Sequence, residues 1–272
     1  MLFEKVSLWP GTDDVYLETY VADRLPNFTR KAILVIPGGG YGGVCSDREG
    51  EPIAMAFMPH GYNAFVLHYS VARSRTFPDQ LIEASAAMKH IRDNAERYNI
   101  DPEKVFVIGF SAGGHLAGSL GVLWHKKGIY EALPMPEGYN KPTGMMLIYP
   151  VISGDPAISH PGSFCNLFGT DTPTNEQLAE ASLERHVDER SVPVFLMHTA
   201  NDQVVPIENS LRMAMAYRKA GRIFELHVYP DAPHGIALSN PITAGCFGDN
   251  PRTKNPHYAT WVENAVRWAD QL

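Results

Sequence analysis

The chain has 272 residues, 44% of them hydrophobic and 19% charged, with a formal net charge of −7 at pH 7. A chain of this size can bury one sizeable core. Its acidic balance and its scattered basic residues disfavour nucleic acids and anionic membranes as partners. No apolar run approaches the roughly 18 residues that a membrane span needs, so we expect a globular domain.

The first residues, MLFEKVSLWPGTDD, lack the basic region, apolar core and cleavage site of a secretion signal. They therefore predict a cytoplasmic location. The three cysteines, Cys45, Cys165 and Cys246, are irregularly spaced, which favours free thiols over disulfides. We expect no metal site and no organic cofactor, and the sequence leaves the formation of a homo-oligomer open.

Strand-like and helix-like segments alternate through the first half of the chain. Val15–Asp23 alternates apolar and polar residues and predicts an edge strand. Lys31–Pro37 and Asn63–Val71 are continuous apolar runs, which are typical of strands buried on both faces of a parallel sheet. Glu51–Gly61 predicts a short helix, and the apolar spacing of Phe77–Ile100 predicts a long amphipathic one.

The second half continues this alternation, beginning with a third buried strand that ends at Phe110. Further strands are predicted at Gly144–Ile152, Val192–Ala200 and Phe224–Pro230, and further helices after Ser111, at Val205–Gly221 and at Asn255–Leu272. Strands regularly separated by helices predict a mostly parallel central sheet with helices on both faces. We expect a single α/β domain that spans residues 1–272.

One stretch interrupts the alternation. Residues 153–190 are rich in Gly, Pro, Ser and Thr, with one helix expected near 175–184. Because the stretch lies between two predicted strands, we interpret it as a small cap-like insertion over the C-terminal edge of the sheet. Ligands bind at that edge in open parallel sheets.

The segment VFVIGFSAGG leads from a buried strand into a turn at Ser111. A strand, a tight turn and a helix that begins at Ala112 are the context of a G-x-S-x-G nucleophile elbow. Gly109 and Gly113 would let the strand and the helix approach each other closely around the serine. The alternative is a helix-capping serine in a glycine-rich turn, and the segment alone does not decide between them.

A nucleophilic serine needs a general base and an acid that orients the base. His234 lies on the loop after the last predicted strand, and Asp202 follows the strand before it. The order Ser111, Asp202, His234, each just past a separate strand, is that of a catalytic triad in α/β-hydrolases. For Asp202 the alternative is a cap of the next helix, and Asp231 is a rival acid.

The remaining histidines near these motifs have simpler interpretations. His115 lies one helical turn beyond Ser111 and is predicted to be a packing residue or a support for the site. Three other histidines lie inside predicted strands and are expected in the core or on a sheet face: His68, His198 and His227.

The segment IPGGGYGG follows the first buried strand. Its glycines have no side chains that would shield their backbone N–H groups. With the N–H of Ala112, those of Gly39 and Gly40 could bind the oxygen that becomes an anion during ester cleavage. The alternative is a flexible turn. Three successive glycines are entropically costly for a turn alone, so we favour an oxyanion hole.

Four ordered motifs together resemble one family: PGGGY, the segment FPDQLIEASAAMKHIRDNAERYNIDPEKVFVIGFSAGGHLAG, HTANDQVVPIENS and FELHVYPDAPHG. They resemble the esterase branch of the α/β-hydrolases, which includes hormone-sensitive-lipase-like and acetylxylan-esterase-like proteins, over roughly Ala32 to the C-terminus. The resemblance implies an α/β-hydrolase fold and a cofactor-free serine esterase. It also implies a triad of Ser111, Asp202 and His234, with an oxyanion hole formed by Gly39, Gly40 and Ala112.

Two positions depart from the hormone-sensitive-lipase pattern, which usually has His before its three glycines and Asp before the nucleophile. Here these residues are Pro37 and Phe110. Both departures, and the stretch SDREGEP, are closer to bacterial acetyl esterases and xylan esterases. The resemblance therefore implies a small acyl group, such as acetyl, and a carbohydrate alcohol, as in acetylated xylo-oligosaccharides.

Two other functions fit parts of the sequence. A serine peptidase of the prolyl-oligopeptidase kind uses the same motifs, but such peptidases usually carry a large N-terminal propeller. A hydrolase-fold binding protein without activity would tend to lose a triad residue, whereas all three are present here.

The substrate pocket is less well defined by the sequence. We expect Tyr41, Asp47, Arg48 and Phe110 to contribute to it, although Asp47 and Arg48 could instead form a structural ion pair that braces the glycine loop. The shapes of the insertion and of the loop 239–257 would decide the acyl length and the identity of the alcohol.

Overall fold

A computed structural model describes residues 1–9, 14–248 and 250–272. Residues 10–13, at the end of the N-terminal stretch considered for a secretion signal, lie outside the described residues. So does residue 249, in the loop 239–257. Within the described ranges, no helix has the length and apolar character needed to cross a membrane.

The described residues form one eight-stranded sheet. Its strands are Leu2–Ser7 (β1), Tyr16–Val21 (β2), Arg30–Ile36 (β3), Tyr62–His68 (β4), Ile100–Phe110 (β5), Met145–Ile148 (β6), Val194–Thr199 (β7) and Phe224–Tyr229 (β8). Their order in the sheet is β1-β2-β4-β3-β5-β6-β7-β8. β2 pairs antiparallel with both β1 and β4, and every pairing from β4 to β8 is parallel. The prediction of a mostly parallel sheet is confirmed.

The prediction of an edge strand at Val15–Asp23 is wrong. That segment forms β2, which lies one strand inside the edge because Leu2–Ser7 pairs along its outer side. β1 alternates half-buried and exposed residues along its whole length, as an edge strand with one solvated face should. Its mixture of apolar and charged residues in a short N-terminal segment gives only a weak strand signal.

The described chain also contains twelve α-helices. They are Ser46–Glu49 (α1), Glu51–Phe57 (α2), Asp79–Asp93 (α3), Ala95–Tyr98 (α4), Ser111–Leu123 (α5), Lys127–Ala132 (α6), Pro161–Phe168 (α7), Asn175–Glu180 (α8), Glu208–Lys219 (α9), Pro241–Ala244 (α10), Pro256–Ala259 (α11) and Trp261–Ala269 (α12). Four short 3₁₀ helices accompany them: Met58–His60, Leu183–Arg185, Gly245–Phe247 and Pro251–Thr253.

The sheet separates two hydrophobic cores. α3, α5 and α9 contribute to one core, whereas α2 and α12 contribute to the other. In β3, Ala32, Leu34 and Ile36 face the first core, and Ile33 and Val35 face the second. A strand covered on both faces needs apolar residues at every position, which explains why this segment reads as a continuous apolar run.

The stretch 153–190 contains two α-helices, although the sequence predicted one. The expected helix is α8, which begins with a capping box between Thr174 and Gln177. The additional helix is α7, and its Asn166 donates a hydrogen bond of 2.9 Å from Nδ2 to the carbonyl oxygen of Gly40. The stretch therefore contacts the glycine loop that follows β3.

The opposite, N-terminal edge of the sheet also has a cavity. Its volume is about 450 Å³, and Arg92, Glu103, Tyr139, Lys141 and Arg222 are among the residues that line it. The segments that line it lead into β5, β6, β7 and β8 rather than out of them. It is thus separated by the length of the strands from the loops that carry the predicted site.

Candidate active site

Ser111 occupies a strained turn between β5 and α5. Its φ of 52° lies in the left-handed region, where a non-glycine residue costs of order 1 to 3 kcal/mol. The turn is tight because Gly113 packs on the end of β3: a Cβ added to Gly113 would lie 2.2 Å from the carbonyl oxygen of Ile36. Only glycine fits there, as the sequence pattern indicated.

Two consecutive hydrogen bonds join the three residues of the predicted triad. His234 Nε2 is 2.8 Å from Ser111 Oγ, and His234 Nδ1 is 2.6 Å from Asp202 Oδ2. A carboxylate only accepts hydrogen bonds, so Nδ1 carries the proton and Nε2 is free to accept one from the serine hydroxyl. The arrangement is that of a nucleophile, a base and an orienting acid.

Asp202 makes the contacts expected of both roles that the sequence left as alternatives. Its Oδ1 accepts hydrogen bonds from the N–H groups of Val204 and Val205 at 2.9 and 3.0 Å, while its Oδ2 binds the imidazole. Burial by itself raises the pKa of this carboxyl group, but contacts with His198 and His234 lower it well below its ordinary value. Asp202 is therefore a fixed negative charge behind His234.

The rival acid does not contact the imidazole. Asp231 forms an ion pair with Arg252 and a hydrogen bond with Asn201. His198, expected in the core, is fully buried there. It also has a role that the sequence did not reveal, because its Nε2 lies 2.9 Å from the Val205 carbonyl oxygen and 3.5 Å from Asp202 Oδ2.

The glycine loop after β3 presents unused donors beside the serine. Gly39 and Gly40 have φ values of 128° and 62°, and a Cβ on Gly39 would lie 2.2 Å from the carbonyl oxygen of Gly43. Within the described ranges, the N–H groups of Gly39 and Gly40 donate to no protein acceptor. Ala112, in the first turn of α5, has an N–H with no intrahelical partner.

Tyr41 does not contribute its side chain to a substrate pocket, so that prediction is wrong. Only 2% of its surface is exposed, and its hydroxyl lies 2.8 Å from His115 Nδ1. The other ring nitrogen of His115 is 2.8 Å from the carbonyl oxygen of Ala181. Burial lowers the pKa of His115 to about 4, so this neutral imidazole, predicted as a packing or supporting residue, joins the glycine loop to the C-terminal end of α8 within the insertion.

The prediction for Phe110 is also wrong. Its side chain has no exposed surface and packs in the second core, with its ring centroid 5.9 Å from that of Tyr149 and 6.1 Å from that of Trp261. Successive residues of a strand face opposite sides of the sheet. Adjacency to Ser111 in the chain therefore did not bring Phe110 into the site.

Asp47 and Arg48 lie at the rim of the site. Arg48 Nη1 is 3.4 Å from Asp47 Oδ1, its Nη2 is 3.2 Å from Cys45 Sγ, and its Nε is 3.9 Å from Glu49 Oε1. A Cβ placed on Gly235, the neighbour of His234, would lie 3.8 Å from Arg48 Nε. The pair thus braces the segment after the glycine loop. It also borders the loop after β8 that carries His234, called the histidine loop below.

Three further side chains around the site gave no clear signal in the sequence. His160, the residue before α7, lies over the glycine loop: a Cβ on Gly40 would be 3.8 Å from its Cε1. Its Nδ1 is 2.8 Å from Ser163 Oγ. Glu49 and Tyr149 lie beneath the same loop and share a hydrogen bond of 3.0 Å. These residues come together around the glycine loop only on folding, so the sequence did not indicate their positions.

The site has no grouping of metal ligands. Among the residues that the structure describes, no cluster of three or more His, Cys, Asp or Glu side chains could hold a metal ion. All three cysteines have free thiols.

One family model and several known proteins match this chain. The BD-FAE family model matches residues 14–217, about three quarters of the chain. The chain is 40% identical over 215 residues to endo-1,4-beta-xylanase B of Butyrivibrio fibrisolvens, covering 78% of this chain and 33% of that protein. It is 32% identical over 216 residues to an acetylxylan esterase of Xylanibacter ruminicola, covering 78% of this chain and 42% of that protein.

The chain thus spans less than half the length of these two relatives. By contrast, it matches a solved structure along nearly its whole length. The acetyl ester-xyloside bifunctional hydrolase of Caldicellulosiruptor lactoaceticus is 30% identical, with a TM-score of 0.84, and the match covers 98% of this chain and 96% of that one.

Proposed function

The chain belongs to the BD-FAE family and has the α/β-hydrolase fold, and from this premise we propose that it is a serine esterase that removes short acyl groups, acetyl above all, from carbohydrate esters. The observation that carries the proposal is the hydrogen-bonded series from Ser111 through His234 to Asp202. The names of an acetylxylan esterase and of an acetyl ester-xyloside hydrolase among its relatives support the substrate class.

In the first half of the proposed reaction, Ser111 Oγ attacks the ester carbonyl carbon as His234 Nε2 takes its proton. The carbonyl oxygen becomes an anion, and the N–H groups of Gly39, Gly40 and Ala112 stabilise it. The carbon–oxygen bond to the sugar then breaks, and the alcohol leaves with the proton from His234. The product is an acetyl ester on Ser111, while Asp202 holds the imidazole in its tautomer.

In the second half, water replaces the alcohol. His234 takes a proton from the water, whose oxygen attacks the acetyl carbonyl, and the same N–H groups stabilise the second anion. The bond to Ser111 Oγ breaks, the proton returns from His234 to the serine, and acetic acid leaves and ionises to acetate in the solvent. No redox or metal chemistry enters these steps, because ester hydrolysis needs only proton transfer and charge stabilisation.

We further propose that residues 153–190 act as a small cap within a single domain of residues 1–272. The hydrogen bond from Asn166 to Gly40 and the place of His160 over the glycine loop support this role. Asp47 and Arg48, at the other rim, remain candidates for contacts with the sugar. Charged side chains can bind several hydroxyl groups at once, which suits a carbohydrate alcohol.

The test is hydrolysis of acetylated xylo-oligosaccharides and of nitrophenyl acetate by the wild type and by Ser111→Ala. We expect the variant to lose a factor of at least about 10⁴ in kcat. Ser119→Ala is the matched control on the same helix, because its hydroxyl bonds the carbonyl oxygen of His115, one turn away from the site. Equal hydrolysis by the wild type and Ser111→Ala would contradict the proposal.

The substrate class can be tested separately with nitrophenyl esters of increasing chain length. We expect kcat/KM to be highest for acetate and to fall as the acyl chain grows. Acetylated xylo-oligosaccharides, which are esters, should be cleaved more efficiently than acetylated amines, which are amides. A preference for long acyl chains, or an amidase activity above the esterase activity, would contradict this assignment.

A further inference from the structure

We propose that Glu49 is a positioning residue for the serine chemistry, which links the glycine loop, the loop after β6 and the histidine loop, and supplies a second negative charge near His234. This inference rests on the proposed function, because it concerns the geometry of the same site. Glu49 plays no part in the reaction steps described above, and the sequence pointed only to the stretch SDREGEP that contains it, without a role for this residue.

Glu49 is a buried carboxylate surrounded by donors. Only 1% of its surface is exposed. Its Oε2 accepts a hydrogen bond of 2.8 Å from the N–H of Gly38, the first glycine of the loop, and its Oε1 accepts one of 3.0 Å from the hydroxyl of Tyr149. Arg48 lies farther away, with its Nε 3.9 Å from Oε1. A carboxylate with such partners sets the position of the groups that donate to it.

Glu49 is also close to the nucleophile. A Cβ added to Gly38 would lie 2.9 Å from Glu49 Oε2 and 2.9 Å from Ser111 Cβ. The carboxylate and the base of the serine side chain are therefore separated by little more than the width of one backbone residue. A shift of Gly38 would move the N–H donors of Gly39 and Gly40 relative to Ser111.

Tyr149 extends the link to the histidine loop. Its hydroxyl donates to Glu49 and accepts a hydrogen bond of 3.0 Å from the N–H of Ala237, and its ring centroid lies 5.0 Å from that of His234. Tyr149 and Ala237 have φ values of 39° and 46°. Strained residues of this kind persist only where the surrounding structure holds them, and their shared hydrogen bond is one such restraint.

The hydrogen-bond directions favour the ionised form of Glu49. Burial raises the pKa of this group above its ordinary value, and Arg48, the Gly38 N–H, His234 and the Tyr149 hydroxyl offset only part of that rise. A protonated carboxyl group would need an acceptor, and its nearest partners are an N–H, an O–H and a guanidinium. The Tyr149 hydroxyl uses its proton toward Glu49 and its acceptor position toward Ala237, so it too matches a carboxylate.

A carboxylate here affects the charge that forms on His234 during catalysis. The charged or titratable groups that face the imidazole are Asp202, Glu49, Tyr149 and His160, and Arg48 partly offsets Glu49. A negative charge favours the imidazolium and so stabilises the species formed in each proton transfer. It also disfavours the neutral base, so removing the charge should extend activity toward lower pH.

The experiment compares Glu49→Gln and Glu49→Ala with the wild type in full pH profiles of kcat/KM on nitrophenyl acetate. We expect kcat to fall about 10-fold in Glu49→Gln and about 10²-fold in Glu49→Ala, with smaller changes in KM, because displaced donors no longer fit the anion. The acid limb of the Glu49→Gln profile should move to lower pH by about 0.5 unit.

Glu83→Gln is the matched control. Glu83 is equally buried and accepts hydrogen bonds from the N–H and hydroxyl of Ser70 and from Arg75, outside the site. It should lower the melting temperature while kcat and the acid limb stay within about 2-fold and about 0.1 unit of the wild type. If both glutamine variants lose activity alike, or if Glu49→Gln behaves as the wild type, the proposal is overturned.

Tyr149→Phe keeps the inference testable if Glu49→Ala does not fold. It removes only the hydroxyl between Glu49 and Ala237. In the double variant with Glu49→Gln, the loss of activity should be smaller than the two single losses combined. Fully additive losses would overturn the link. The rate at which a fluorophosphonate probe labels Ser111 gives a readout that needs no ester substrate. Slow labelling of Glu49 variants with normal wild-type labelling would support this inference even if the proposed carbohydrate substrate were wrong.

Discussion

The two edges of the central sheet use their polar groups in different ways. At the N-terminal edge, the guanidinium of Arg92 donates to the carbonyl oxygens of Pro102, Tyr139 and Lys141. At the C-terminal edge, the N–H groups of Gly39 and Gly40 have no protein acceptor among the described residues. The cavity beside Arg92 is therefore lined in part by groups that already have partners, while the C-terminal edge keeps donors available.

This difference shows why cavity volume alone does not identify a site. A group that already has its hydrogen-bond partner contributes to stability, whereas an unused donor held in place by strained backbone can bind a charge that forms during a reaction. Mutations at the C-terminal edge should therefore lower mainly the activity, and mutations at the N-terminal edge mainly the stability.

The largest expected effect is that of Asp202→Asn. The amide would place an N–H₂ group against His234 or hold the wrong tautomer, and kcat should fall by about 10⁴. Asp231→Asn, which alters the rival carboxylate on the histidine loop, should stay within about 2-fold of the wild type. Steady-state kinetics on nitrophenyl acetate measures both. A larger loss in Asp231→Asn than in Asp202→Asn would reassign the acid.

The next effect is expected for Gly39→Ala. The added Cβ would meet the carbonyl oxygen of Gly43 at 2.2 Å, at a φ of 128°, so the loop must move and its donors with it. We expect a loss of about 10² to 10³ in kcat. Gly43→Ala in the same loop has no atom within 4 Å of its Cβ and should retain activity. Similar losses in both variants would show that flexibility, rather than donor position, matters.

A smaller effect is expected for Arg48→Ala, and it depends on the substrate. If Arg48 contacts the sugar, KM for acetylated xylo-oligosaccharides should rise about 3- to 10-fold while KM for nitrophenyl acetate stays unchanged. A fall in melting temperature with both KM values unchanged would instead assign Arg48 to bracing alone. Kinetics on the two substrates, with thermal unfolding of both proteins, separates the two roles.

The smallest effect on activity is expected at the opposite edge. Arg92→Ala leaves three carbonyl oxygens without their donor and should lower the free energy of unfolding by about 2 to 4 kcal/mol. Its kcat and KM should match those of the wild type at temperatures where it is folded. Arg218→Ala, at an exposed position of α9, is the control for loss of a surface arginine. A loss of catalysis in Arg92→Ala would contradict the division between the two edges.

The sequence predicted the features that local patterns encode. Ser111, Asp202 and His234 could be proposed together from the sequence because each lies shortly after the end of a strand with a clear apolar signal, and parallel strands end at one edge. The same reasoning gave the glycine loop. It failed for Tyr41 and Phe110, since closeness along the chain does not determine which way a side chain faces.

The supporting residues could not be predicted because they depend on tertiary contacts. Glu49 and Tyr149 are 100 residues apart in the chain. His198 is only four residues from Asp202, but its contact with the carboxylate depends on the turn that follows β7. Likewise, α7 was missed because its eight residues include Pro and Gly, which are weak helix formers. Its packing on the glycine loop stabilises it.

The contact from Tyr41 through His115 to Ala181 has a consequence for the conditions under which the site stays assembled. Both hydrogen bonds are buried and neither involves a charged group while His115 is neutral. Dissolved salt screens interactions between charges and leaves neutral, buried hydrogen bonds largely unaffected. The attachment of the insertion to the glycine loop should therefore persist from dilute buffer to high ionic strength, and so should the shape of the entrance to the serine.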